Sequence, residues 1–279
     1  MKKKTHHSIL SFLFVTIFAL SSTVLAIDLR SECGVRSQEE IQGKARRYLD
    51  LFTNSKNFDR WIYWQAETLS KGKKFDRGST EKRFSELESW LNSSWTETLK
   101  KQPELGIVET VLREMQSHPA FRGKQMYIPS VFGEMIGGCE ALCILSGEAF
   151  VLFVNPEFIK NLATNSKTKS ITVGSSEYQT LRFILAHELS HAIHSYAYIL
   201  KERNKNRWAL PTELKGKGFA YHREHLIIDA IAALLADMNY IDVTGELDRT
   251  TSTLHQTFGK DFETDISFRS SCLKSLPVR

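Results

Sequence analysis

Apolar residues recur every three to four positions from residue 37 to about residue 118, which is the period of amphipathic helices. Ser37 stands before the first apolar run and is a suitable N-cap, because two acidic residues follow in the first turn. Further helices are predicted near residues 61–69, from Ser79 or Thr80 to residue 91, and over residues 105–115. Residues 27–120 therefore form a predicted helical N-terminal region.

The pattern changes between residues 124 and 160, where glycines, prolines and short apolar runs replace the helical period. Ala149–Val154 is a continuous apolar run bounded by polar and turn-forming residues, which favours a buried or half-buried strand. A helix begins again at Pro156, and a polar loop is predicted at 164–169. These elements predict an α+β fold that is predominantly helical and contains a small β-sheet.

Two strongly apolar helices are predicted in the second half of the chain. Ser175 or Ser176 can cap the first, which extends over about residues 178–200, and the second extends over about residues 222–236. Each helix carries a patch of histidine and acidic residues among apolar neighbours. Because buried polar groups need partners, these patches contain the candidate functional residues.

The first patch reads His-Glu-Leu-Ser-His over residues 187–191. Histidines four residues apart lie about 40° apart on one helix face, so His187 and His191 can bind one metal ion. Glu188 lies beside them as a candidate general base for a zinc-activated water molecule. His194 shares the face, but it lies about 10 Å from His187 along the helix axis, which places it outside the predicted ligand set.

The second patch reads His-Arg-Glu-His-Leu-Ile-Ile-Asp over residues 222–229, and small apolar residues follow it. Together the two motifs resemble those of the gluzincin metallopeptidases, especially their compact members. In that family the His-Glu-x-x-His helix precedes a Glu-x-x-x-Asp helix, whose Glu is the third zinc ligand and whose Asp orients the first His. The resemblance covers about residues 126–240 and implies a zincin-like core over residues 121–279, with the small sheet beside the active helix.

The third zinc ligand is where this chain departs from the gluzincin pattern, because His225 stands four residues before Asp229 in place of Glu. A catalytic zinc ion usually has three protein ligands and one open position. Helical phase favours His225, which lies about 40° from Asp229, over Glu224, which lies about 140° from it. Glu224 stays open as an alternative ligand. Asp229 is then expected to accept a hydrogen bond from a ligand histidine.

Residues 1–26 have the pattern of a secretory signal peptide. Three lysines precede an apolar stretch, and Val24 and Ala26 suit the −3 and −1 positions of a cleavage site. The apolar stretch is about 12 residues long, whereas a helix needs about 20 to cross the hydrocarbon of a membrane. We therefore expect an exported protein, periplasmic or extracellular, without stable membrane insertion after removal of the signal.

Four cysteines follow the predicted signal peptide: Cys33, Cys139, Cys143 and Cys272. An even number of cysteines in an exported protein predicts disulfide bonds. Three pairings are possible. One of them joins Cys33 to Cys272 and leaves the other two cysteines to close a local loop.

The charge of the chain does not indicate a nucleic-acid partner. The formal net charge is +5, but three of the positive residues are lysines 2–4 of the predicted signal, and no dense Lys/Arg stripe with interleaved aromatic residues occurs. The expected partner is a peptide or protein substrate.

The sequence thus predicts a secreted hydrolase, a metalloprotease that cleaves peptide bonds with one zinc ion per chain. Two alternatives stay open. One is a zinc amide hydrolase acting on cell-wall peptides, which would use the same site chemistry. The other is a non-enzymatic exported binding protein, which would use the Trp-rich helices of residues 61–95. We favour a core role for those tryptophans.

Overall fold

The computed structural model describes residues 33–54, 62–122, 125–127, 141–146, 149–166, 169–211, 219–239, 242–250 and 260–277. The predicted signal peptide and Cys139 lie outside the described residues. Among the described helices, none combines the length and apolar character needed to cross a membrane.

Helices are the main elements of the fold. Numbered along the chain, they are α1 (Gln38–Thr53), α2 (Ile62–Ser70), α3 (Arg77–Lys101), α4 (Gly106–Gln116), α5 (Pro156–Asn165), α6 (Ser176–Arg203), α7 (Phe219–Leu235) and α8 (Lys260–Ser275). Residues 242–250 are also helical, and single 3-10 turns occur at Pro103–Leu105 and Pro119–Phe121. The predicted helices thus correspond to α1–α7, with differences at their ends.

The helix starts follow from short side chains that accept hydrogen bonds from the first turn. Ser37 caps α1 as predicted, and Ser175 caps α6 by accepting from the backbone N–H of Tyr178. The start predicted for α3 is wrong, because Asp76 rather than Ser79 or Thr80 precedes the helix. The Asp76 carboxylate accepts hydrogen bonds from the backbone N–H groups of the first turn, so α3 begins at residue 77.

The α+β class predicted from the sequence is wrong, whereas the predicted predominance of helices is confirmed. Most of the described residues are helical, so the fold is mainly helical. Among the described residues, the buried side chains come almost wholly from helices. Ala149–Val154 does form a strand, as its apolar run predicted, but one short strand does not set the class of a mainly helical fold.

In the described part of the chain, strand pairing involves three short segments, β1 (Gln125–Tyr127), β2 (Ala141–Ser146) and β3 (Ala149–Val154). Their order is β1-β3-β2; β1 is parallel to β3, and β2 is antiparallel to it. In the register of the strands, Ala149 of β3 pairs with Gln125 of β1 on one side and with Ser146 of β2 on the other.

α6 is the central helix, because it is buried on several faces along most of its length. Phe52 of α1 packs edge-on against Tyr196 of α6, with ring centroids 5.5 Å apart. One hydrophobic core includes side chains from both predicted regions, residues 27–120 and residues 121–279. Of the tryptophans at positions 61–95, Trp64 is half-buried, and the side chains of the others lie outside the described part.

A disulfide bond between Cys33 and Cys272 joins the segment before α1 to the end of α8. This finding selects the predicted pairing that connects the two ends of the chain. Gln38 strengthens the junction by donating its backbone N–H to the carbonyl of Pro277 (3.2 Å) and its side-chain amide to that of Leu273 (3.0 Å). The C-terminal helix is therefore held by covalent and hydrogen-bonded contacts at its end.

Candidate metal centre

Packing of α6 against α7 brings the two histidine motifs together. Both helices are lined with small and branched apolar side chains, which allow the two backbones to approach closely. His187 and His191 project from α6, and His225 projects from the first half of α7. Helix packing therefore brings together two motifs that 30 residues, 192–221, separate in sequence.

The side chains of His187, His191 and His225 converge, with one potential ligand atom of each within 4.8 Å of the others. The Nε2 atoms of His187 and His191 are 3.1 Å apart, and the His225 ring centroid lies 5.0 Å from that of His191. In a tetrahedral zinc site with Zn–N bonds of about 2.0–2.1 Å, ligand nitrogens lie about 3.3 Å apart. The observed spacing of the two Nε2 atoms therefore fits a shared metal ion.

Asp229 orients His187 from the side opposite the cluster. Its Oδ1 lies 2.8 Å from His187 Nδ1, and Nη1 of Arg269 donates to both Oδ1 (3.0 Å) and Oδ2 (3.2 Å). An ionised carboxylate can only accept hydrogen bonds, so Nδ1 of His187 carries the proton. The lone pair of His187 then lies on Nε2, which faces the other histidines.

Burial and charge set the protonation states in this chain of contacts. Burial raises the pKa of Asp229, but the positive charge of Arg269 and the hydrogen bond from His187 outweigh it and keep that pKa below its ordinary value. Burial lowers the pKa of His187 to about 4, although Asp229 acts in the opposite direction. His187 is therefore neutral at pH 7, which is the form that binds a metal ion.

The exposure of these residues differs across the site. The His187 side chain is 12% exposed, whereas the Asp229 side chain is fully buried. Glu188 and His191 are half-buried. Solvent can therefore reach the histidines of the centre, whereas the Asp229 carboxylate is inaccessible to solvent. Partial access is a property of catalytic metal sites, because structural zinc sites are closed by four protein ligands.

Glu224, the alternative ligand, lies apart from the converging set. Among the described residues, the group within coordinating reach includes His225 and does not include Glu224. Glu224 is half-buried. The pKa of Tyr48 is raised first by the burial of Tyr48 itself and second by the negative charge of Glu224. Glu224 therefore acts electrostatically on Tyr48 of α1.

His194 is also outside the cluster, as its axial distance from His187 predicted. It is buried and packs against Tyr48 of α1, with ring centroids 4.8 Å apart. This contact makes His194 part of the packing between α1 and α6. The side chains of Tyr221 and His222, which lie close to the second motif in sequence, are outside the described part.

Arg269 is a residue of this site that the sequence analysis missed. It lies on α8, 40 residues after its partner Asp229, so no local pattern connects them. A signal did exist, because Arg269 interrupts a stripe of buried residues that includes Ile266 and Leu273 at helical spacing. An arginine on the apolar face of a helix needs a buried acidic partner.

The chain matches no protein-family model, no curated protein and no solved structure. The assignment of this site therefore rests on its own residues and geometry. The three histidines could hold a metal ion, and the resemblance of the motifs to those of gluzincins bears only on the proposal that follows.

Proposed function

We propose that this protein is an exported zinc metallopeptidase with a gluzincin-like site. The observation that carries the proposal is the convergence of His187, His191 and His225 from two packed helices. The half-buried Glu188 follows His187 in the chain and supplies the carboxylate that the reaction needs. Three protein ligands with one side open to solvent are typical of catalytic zinc. A purely structural site would be closed by a fourth ligand.

The donor set favours zinc among the common metal ions. Three neutral imidazoles suit zinc, copper, nickel or iron, and they do not suit calcium or magnesium, which prefer oxygen ligands. When bound, zinc would supply a Lewis acid that lowers the pKa of a water molecule to about 7 and polarises a substrate carbonyl. His187, His191 and His225 would hold it.

The two carboxylates near the histidines have different tasks. Asp229 is fully buried and paired with Arg269, so it stays ionised and keeps His187 in one tautomer. Glu188 is half-buried and directly follows the ligand His187 in the chain, and its proposed role is to take a proton from water and return it to the leaving amine nitrogen of the substrate. This division assigns orientation to Asp229 and proton transfer to Glu188.

The proposed location is the periplasm or the extracellular space. The Cys33–Cys272 disulfide is consistent with an oxidising compartment, in which such bonds form and persist. The predicted signal peptide, residues 1–26, provides the route of export. A peptide or protein substrate encountered in that compartment is then the proposed partner.

Glu188→Gln tests the catalytic assignment. It should abolish hydrolysis of a fluorogenic peptide library while the zinc content, measured by plasma mass spectrometry, stays near one per chain. Glu177→Gln is the matched control, because Glu177 is also half-buried on α6 and lies outside the cluster. Hydrolysis by the Glu188→Gln variant at the wild-type rate would contradict the assignment. Turnover of cell-wall peptides alone would favour the amide hydrolase alternative.

The third ligand is tested in the same assay. His225→Ala should lose most of the bound zinc, whereas Glu224→Ala should keep it, because Glu224 lies outside the converging set. The reverse result would make Glu224 the ligand. A wild-type protein with neither zinc nor hydrolysis would favour the binding-protein alternative.

A further inference from the structure

We infer that Arg269 is a positioning residue of the metal centre: its guanidinium fixes the Asp229 carboxylate, which in turn fixes the His187 imidazole. The inference rests on the metal-binding half of the proposed function and does not depend on the reaction catalysed. It gives α8 a role in the affinity of the site.

The geometry connects Arg269 to the centre through a single carboxylate. Nη1 of Arg269 bridges the two oxygens of Asp229 at 3.0 and 3.2 Å, and Oδ1 also accepts the hydrogen bond from His187 Nδ1. The terminal torsion of an Asp side chain is broad and has no strong staggered minimum. The bridge from Arg269 therefore restricts a rotation that would otherwise turn Oδ1 away from His187.

The pair is deeply buried, which makes each partner dependent on the other. The Asp229 side chain is fully buried, and that of Arg269 is 7% exposed. A buried carboxylate that loses its cation is strongly disfavoured in its original place. Without Arg269, the environment of Asp229 would change, and the orientation of His187 would change with it.

Contacts of the neighbouring residues hold Arg269 in its place on α8. Cys272, three residues further along α8, is bonded to Cys33, and the neighbouring Ser270 donates to Asp248 Oδ1 at 2.6 Å. A buried arginine could also serve only to hold α8 against α7. The two roles differ in one observable: a structural ion pair changes stability, whereas a positioning residue also changes the metal affinity of the folded protein.

The decisive variants are Arg269→Met and Arg269→Lys. Met keeps the length of the side chain without its charge, and Lys keeps a point charge that cannot bridge both oxygens in the same fixed geometry. Zinc affinity of the folded full-length protein should fall about 10- to 100-fold in Arg269→Met, and by less in Arg269→Lys. Affinity is measured by competition with a chromophoric chelator, at a temperature where circular dichroism shows each variant folded.

Ser270→Ala is the matched control. It removes a hydrogen bond of the same helix, on the residue adjacent to Arg269, but it leaves Asp229 untouched. It should keep the wild-type zinc affinity even where it lowers the melting temperature. If Arg269→Met does not fold, Arg269→Lys carries the comparison, and an affinity equal to that of the wild type would overturn the inference.

A double-mutant cycle tests the route of the effect. In an Asp229→Asn background, Arg269→Met should change zinc affinity far less than it does in the wild type, since both act through one contact. The spectrum of the Co²⁺-substituted protein should change in Arg269→Met and not in Ser270→Ala. Equal effects of Arg269→Met in both backgrounds would overturn the inference. A wild type that binds zinc without hydrolysing peptides would overturn only the peptidase proposal.

Discussion

His225 stands where the resemblance to gluzincins implies a glutamate, and this single difference changes the charge of the site. Three imidazoles are neutral ligands, whereas a His-His-Glu set carries one negative charge. The described ligand group of this chain therefore neutralises none of the charge of a divalent ion. The nearest buried negative group is Asp229, and Arg269 already compensates it. We expect a strongly electrophilic centre.

Acidification should destabilise the metal-free protein because of His187. Burial lowers its pKa to about 4, whereas a histidine in the unfolded chain titrates near 6.5. Between these values the unfolded chain binds the extra proton, so the contribution of His187 is full above about pH 6.5 and is lost as the pH falls through about 4. The expected loss from this group is about 3 kcal/mol of unfolding free energy.

Urea unfolding of chelator-treated protein at several pH values between 7 and 4 checks this prediction. His187→Gln provides the comparison, because carboxylates also titrate at the acid end of the range. The variant should show a shallower fall in stability above pH 5. Identical pH profiles for the variant and the wild type would show that His187 is not the group responsible.

At the scale of the element, α6 combines an extensively buried surface with several polar residues, and neighbouring segments supply their partners. Thr180 donates to the buried Glu246, and His187 contacts Asp229 of α7. Near the C-terminal end, Glu202 is paired with Lys205. A helix that is buried along most of its length can hold polar groups only where such partners exist. The polar contacts of α6 thus specify which segments pack against it.

Thr180→Val should destabilise the protein by about 2 kcal/mol. The Thr180 hydroxyl donates to a buried carboxylate oxygen of Glu246 at 2.7 Å, and hydrogen bonds to charged groups contribute more than neutral ones. Valine has the same shape and leaves that oxygen without this donor. Urea denaturation measures the change in the free energy of unfolding.

Thr110→Val is the control for this prediction. Thr110 of α4 donates to a backbone carbonyl of its own helix at 3.5 Å, so its replacement should cost well under 1 kcal/mol. Equal losses for the two variants would mean that the contact between Thr180 and Glu246 does not stabilise the packing of residues 242–250 on α6.

At the scale of the whole molecule, the two ends of the described chain meet beside the metal centre. The disulfide bond closes a loop with a sequence separation of 239 residues, and α8, which it fastens, carries Arg269. The segment before α1 lies against α7 near the junction, since a Cβ atom on Gly34 would lie 3.4 Å from the side chain of Arg223 on α7. Gly34 also has a positive φ of 64°, which glycine adopts without strain.

Replacing Cys33 and Cys272 by serine should lower both stability and zinc affinity. Loss of a cross-link that closes so long a loop costs about 5.5 kcal/mol in the chain-entropy account. More frequent detachment of α8 would also remove Arg269 from Asp229 for part of the time, so the apparent affinity for zinc would fall. Denaturant unfolding and chelator competition measure the two effects.

Lys274→Ala is the control for the disulfide prediction. Lys274 lies on α8, as Cys272 does, and forms an exposed ion pair with Asp248 of the helical residues 242–250. Such pairs contribute at most about 1 kcal/mol. This variant should leave zinc affinity unchanged. Zinc affinity that is equally unchanged in the serine double variant would show that the centre is independent of the disulfide. A lower zinc affinity in the serine double variant would mean that the centre reaches its full affinity only when the Cys33–Cys272 disulfide is formed.

Structural features that depend on residues close together in the sequence could be predicted well from the sequence. The cap at Ser37, the helix that carries His187 and His191, and the helix that carries His225 follow from spacings of three or four residues. At that range the helical period itself determines which side chains share a face. The start of α3 was missed because Asp76, Ser79 and Thr80 are all capping residues, and sequence does not rank them reliably.

The sequence by itself determined the long helices and the two histidines of α6, because contacts within one helical turn are encoded locally. Only the tertiary structure decided that Cys33 pairs with Cys272, that Arg269 contacts Asp229, and that His225 joins the cluster. Those outcomes depend on which surfaces pack together across tens to hundreds of residues. Periodicity determines which face of a helix is buried, and it does not determine what that face will meet.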